Sequence, residues 1–187
     1  MLDHFAILQL PRRPWLDPAT VREAFQRLAG AAHPDAAGVA GVFAGINTAH
    51  GVLREASSRL QHLLELEYPD VSPSGGIPAE LGERFMEVAT LQREAETFLH
   101  QLDGASSPLG KALLTADRAV QKRDVEKLAR TLERDEEALL ARLQMEDTIW
   151  DVRNADTPVR LISMQQEAVF LKRWQEQVRE TLLKLTL

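Results

Sequence analysis

Pro34 is the residue that most constrains this chain. Upstream of it, Val21, Phe25, Leu28 and Ala32 recur at helical spacing, and downstream Phe43, Ile46, Ala49, Leu53 and Leu60 do the same. Proline disfavours helical geometry in the residue before it and has no N–H to continue a hydrogen-bond ladder. One helix must therefore stop at about Ala32 and another must start beyond the break. Between them His33, Pro34 and Asp35 are displayed on a turn: an imidazole, a rigid ring and a carboxylate, side by side.

The rest of the chain reads as helix throughout. Leu2 to Leu10 is a short helix ended by Pro11 and Pro14. Asp17 followed by Pro18 is a helix start, a capping carboxylate before a proline at the first helical position. The helix after Asp35 is expected to run from about Val42 to Glu67. Pro69, Pro73, Gly75, Gly76 and Pro78 then mark a domain boundary over Tyr68 to Ala79, with residues 71–79 as the linker. Beyond it, a helix from about Pro78 to Leu102 carries Leu81, Val88, Leu91, Ala95, Phe98 and Leu102 on one side. Ser107-Pro108 starts a short helix toward Val120, and Asp124 caps another bearing Val125, Leu128, Leu132, Leu139 and Leu143. Thr157-Pro158 opens the last, where Leu161, Met164, Ala168, Leu171, Val178, Leu182 and Leu185 form a stripe broken by Gln175. Such a stripe is the packing seam of an antiparallel bundle. The expected fold is all-α in two domains, residues 1–70 and a helical bundle over 80–187.

Composition narrows the function. The net charge of −6 advertises neither nucleic acid nor an anionic membrane as a partner. The absence of cysteine excludes disulfides, thiolate metal sites and a cysteine nucleophile, and suits a cytoplasmic setting. No apolar stretch is long enough to span a bilayer, and the first residues do not read as a signal peptide. His4, His33, His50, His62 and His100 do not pair at metal-ligand spacing. No acidic pair is grouped with a nucleophile or a Gly-rich turn, so neither an enzyme nor a cofactor is expected.

The first seventy residues resemble the J-domain family. His4 to Pro11 resembles its opening helix, His33-Pro34-Asp35 its signature loop, and Phe43-Ala44-Gly45-Ile46-Asn47-Thr48-Ala49 its third helix. The chain then continues into a helical bundle, where most J-proteins have a Gly/Phe-rich region or zinc-binding cysteines. That arrangement resembles the HscB type, the J-type co-chaperones of iron–sulfur cluster assembly. Phe85-Met86-Glu87, Trp150-Asp151 and Phe170-Leu171 are the local matches. Ala36 stands where the family usually has lysine, and the second helix is less basic than is usual there.

The resemblance implies a partner and a client. His33, Pro34 and Asp35, with Arg22 and Arg27, would contact a DnaK/HscA-type heat-shock chaperone whose ATP hydrolysis they favour. The plainer reading of the two arginines is a solvated helix face. The client, by the same resemblance an iron–sulfur scaffold protein of the IscU-like kind, would sit on Phe85, Met86, Ala89 and Phe170. At about 100° per residue these fall off the seams of their helices, a position either packed under a neighbouring element or open to a partner. Two alternatives remain open: a J-protein serving another client, and a J-like interaction protein without chaperone stimulation.

Overall fold

Asp17 and Pro18 start a helix as their chemistry requires. The structure, a computed structural model, describes residues 2–32, 40–71 and 81–186. In it the Asp17 carboxylate accepts from the backbone N–H of Thr20 at 3.1 Å, and Pro18 is the first residue of α2 (Pro18–Ala31). That bond favours the ionised carboxylate and holds Asp17 below its ordinary range. Ahead of it, α1 (His4–Leu8) is shorter than expected. Asp3 caps its start by accepting from Ala6 N–H, and Gln9, in the left-handed region at φ 56, turns the chain before the prolines are reached.

The single helix expected over 42–67 is two. They are α3 (Ala40–Arg54) and α4 (Ala56–Glu67), separated by Glu55 in an extended conformation. No proline or glycine makes this break. The carbonyls it frees are bonded from the far side: Ser58 Oγ donates to Val52 O at 2.7 Å, and Arg59 Nη1 donates to Leu53 O at 2.8 Å. Arg59 also donates from Nε to Pro14 O at 3.1 Å, tying the loop before α2 to the same corner. Its side chain is 3% exposed. Burial pulls its pKa down to about 10, opposed by the charge of Glu55, so it remains a cation at neutral pH. α3 packs on α1, α2 and α4, with Phe5, Leu8, Val21, Ala49, Leu53 and Leu60 buried. Each of the phenylalanine, leucine and valine side chains among them contributes about 1.5–3 kcal/mol by leaving water.

The second half holds α5 (Gly82–Gly104), α6 (Pro108–Thr148) and α7 (Thr157–Thr186). The expected start of α5 at Pro78 lies outside the described residues. The two helices expected over 108–148 are one. Ser107 starts it by accepting from Gly110 N–H at 3.0 Å, and Asp124 is interior. A capping residue begins a helix only where something else has ended the previous one, and no proline or glycine lies between Gly110 and Thr148. The seam of α7 is unbroken: Leu171, Trp174, Val178, Thr181 and Leu185 are all buried, so Trp174 fills the place that Gln175 left open.

The fold is all-α, without a strand among the described residues. The chain forms two compact units, Met1–Gly75 with Leu139–Ala168, and Gly76–Ala138 with Val169–Leu187. In the first, Arg13 pairs with Asp147 at 2.7 Å and the Tyr68 hydroxyl donates to Val152 O at 3.1 Å. There too Arg160 bonds the buried carboxylate of Glu146. In the second, α6 runs antiparallel to α5 and α7. Arg84 binds Asp135 at 2.7 Å, Gln175 binds Glu136 at 2.8 Å, and Arg118 reaches Leu185 O at 2.7 Å. α5 and α7 run parallel, with the Thr181 hydroxyl on Gln92. Among the described residues no helix is long and apolar enough to cross a membrane.

Candidate functional site

The expected site residues fall in three places. His33, Pro34 and Asp35 lie outside the described residues. The helices on either side of them, α2 and α3, pack on each other, which is the frame the sequence called for. Phe25 of α2 stacks on His50 of α3 with ring centroids 4.2 Å apart. Burial and the neighbouring Arg54 hold the His50 pKa below its ordinary value.

Arg22 and Arg27 are both exposed on α2. Five residues apart, they point about 140° from each other around the helix axis, so they do not form one patch. Arg27 donates from Nη1 to the Gln9 side chain at 2.9 Å. Its guanidinium is thus held by the left-handed residue that ends α1.

Phe85, Ala89 and Phe170 come together in the second unit. They line a cleft of about 180 Å³ between α5 and α7. Its apolar wall is completed by Val88 and by Trp174, which is 3% exposed. Phe170 and Trp174 meet at 5.6 Å between ring centroids, tilted by 35°. Phe85 is 37% exposed and Phe170 is half-buried, so neither ring is sealed. Met86 does not line the cleft and stands out at 59% exposure. The polar part of its lining is Gln92, Arg173 and Gln177.

Sequence reasoning missed Trp174 and Arg173 here. Trp174 lies three residues after Leu171 and four before Val178, so the helical period pointed to it. Arg173 gave no sequence signal, because it belongs to the site only through the way α7 lies beside α5.

Among the described residues no group of three or more His, Asp or Glu side chains could hold a metal ion. Among the described residues the geometry offers a half-open apolar cleft in one unit, and two packed helices flanking residues 33–39 in the other.

The fold is of a known class, an N-terminal J-domain-like arrangement of helices followed by a long-helix bundle. It is HscB-like: the chain is similar in structure to the chaperone HscB from Vibrio cholerae. The TM-score is 0.53 at 18% sequence identity, and the likeness covers 96% of each chain. No family model and no curated protein matches the sequence.

Proposed function

We propose that this chain is a J-domain co-chaperone of the HscB type. Residues 1–70 dock on a DnaK/HscA-type heat-shock chaperone through His33, Pro34 and Asp35, with Arg22 and Arg27 alongside. Residues 80–187 hold a client on Phe85, Met86, Ala89 and Phe170, the client being an iron–sulfur scaffold protein. The chain is not itself an enzyme; the hydrolysed ATP is the partner's. Coupling between the two sites is thermodynamic: J-domain and client together must bind one state of the chaperone better than the other.

The observation that carries this reading is that the two helices between which His33-Pro34-Asp35 fall in the sequence pack on each other, in a fold that is HscB-like over nearly its whole length. The test is a single-turnover ATPase assay with DnaK-type chaperones of the same organism. Wild type should accelerate hydrolysis, and His33→Gln should abolish the acceleration without changing helix content or melting temperature. A second reading has Ala36 and the separation of Arg22 from Arg27 in its favour. In it the chain keeps the J-like fold and its client but no longer stimulates hydrolysis. Client capture without ATPase acceleration by the wild-type chain identifies that case.

A further inference from the structure

The cleft between α5 and α7 carries one charged side chain, Arg173, on a wall that is otherwise apolar or neutral. Arg173 is exposed and has no ion-pair partner among the described residues. Glu87 of α5 and Asp135 of α6 are both engaged by Arg84. Ala89 and Thr90, one turn further along α5, bring no charge. Arg173 is therefore the one charged side chain that the cleft itself presents, a cation on a chain whose net charge is −6.

The size of the cleft limits what enters it. A volume of about 180 Å³ is close to that of the apolar cavity, roughly 150 Å³, that accepts a benzene ring. One aromatic, leucine or methionine side chain fills it. An exposed guanidinium beside such a socket favours a carboxylate, which it can bind through two parallel N–H···O bonds.

We propose that the cleft receives an acidic amphipathic segment of a partner protein. One large apolar side chain sits against Phe170 and Trp174, and an aspartate or glutamate within a turn of it binds Arg173. This rests on the reading of the cleft as the client site and adds the charge of what it selects.

The experiment uses the full chain and three synthetic twelve-residue peptides that share a central leucine–phenylalanine pair. The flanking positions are glutamate in one, glutamine in the second and lysine in the third. Binding is followed by fluorescence anisotropy at low salt. The glutamate peptide should bind about fivefold tighter than the glutamine peptide, and the lysine peptide weaker than either. Arg173→Glu, at an exposed position, should keep the fold by circular dichroism and reverse that order. Phe85→Ala with Phe170→Ala should weaken all three. Equal affinity for the three peptides in wild type overturns the charge preference while leaving the cleft reading in place. So does an Arg173→Glu variant that keeps the original order. Binding of none of the three overturns the cleft reading and the charge preference together.

Discussion

The backbone N–H of His4 donates to Nε2 of His62 at 3.0 Å, so the first residue of α1 is fastened to an imidazole nitrogen of α4. The two rings lie 4.5 Å apart between centroids, and Phe5 stacks on His62 at 5.7 Å. An accepting nitrogen carries no proton, so protonating His62 at Nε2 breaks the bond. Burial lowers the pKa of His62, helped by His4 and Arg12 and opposed by Asp3 and Glu65.

A histidine with a lowered folded-state pKa binds fewer protons folded than unfolded. Its contribution to stability is complete above the unfolded pKa of about 6.5 and fades as pH falls through the lower folded value. Melting temperature should therefore fall between pH 7.5 and pH 5, with hydrogen exchange in α1 rising first. In His62→Gln the part of this slope due to the imidazole should vanish. An unchanged slope in that variant would show that other groups set the acid response.

Arg59 is expected to matter more for stability than any exposed arginine. Its guanidinium satisfies the carbonyls of Leu53 and Pro14 in a buried corner. Arg59→Ala strands both acceptors and should cost about 3 kcal/mol. Arg59→Lys should recover little of it, since an ammonium cannot span the two acceptors as the planar fork does. Urea midpoints for the three proteins decide the matter. A loss within about 0.5 kcal/mol for alanine would mean that water replaces the side chain there.

The client patch makes a separable prediction. If a partner's side chain seats against Phe85 and Phe170, each ring contributes on the order of 2 kcal/mol to that complex. The double alanine variant should lose client binding and keep client-free stimulation of the chaperone's ATPase. Loss of both activities together, with a lowered melting temperature, would instead assign the rings to folding.

Arg22 and Arg27, on separate sides of α2, should act by steering rather than by one shared contact. Changing both to glutamate should slow association with the chaperone more than it speeds dissociation. The wild-type association rate should fall with salt, since exposed charges are screened over roughly 8 Å at physiological ionic strength. A salt-independent rate in stopped-flow measurements rules steering out.

Helix starts were legible in the sequence wherever a side chain writes them locally. Asp17-Pro18, Ser107-Pro108 and Thr157-Pro158 each open a helix where expected. The break at Glu55 was not legible, because it is held by Arg59 and Ser58 reaching back to carbonyls of the previous turn. No residue at the break itself forbids a helix. The continuity of α6 was missed for the opposite reason: Asp124 has the chemistry of a cap and no interruption to act on. At the cleft, off-seam positions left Phe85 and Met86 either packed under a neighbour or open to a partner, and in the structure both are exposed. The meeting of Phe85 with Phe170 is a long-range packing outcome that no local pattern encodes.

The first compact unit is made of two separate stretches of chain, residues 1–75 and 139–168. Its bonds from Arg13 to Asp147 and from Tyr68 to Val152 close over 134 and 84 residues. A ribosome makes such a protein from the amino end at about 5–20 residues per second. The early helices must therefore wait several seconds for the segment that completes their unit. During that interval the surface around Tyr68 and Arg13 lacks its natural cover and is open to whatever else in the cell binds nascent chains.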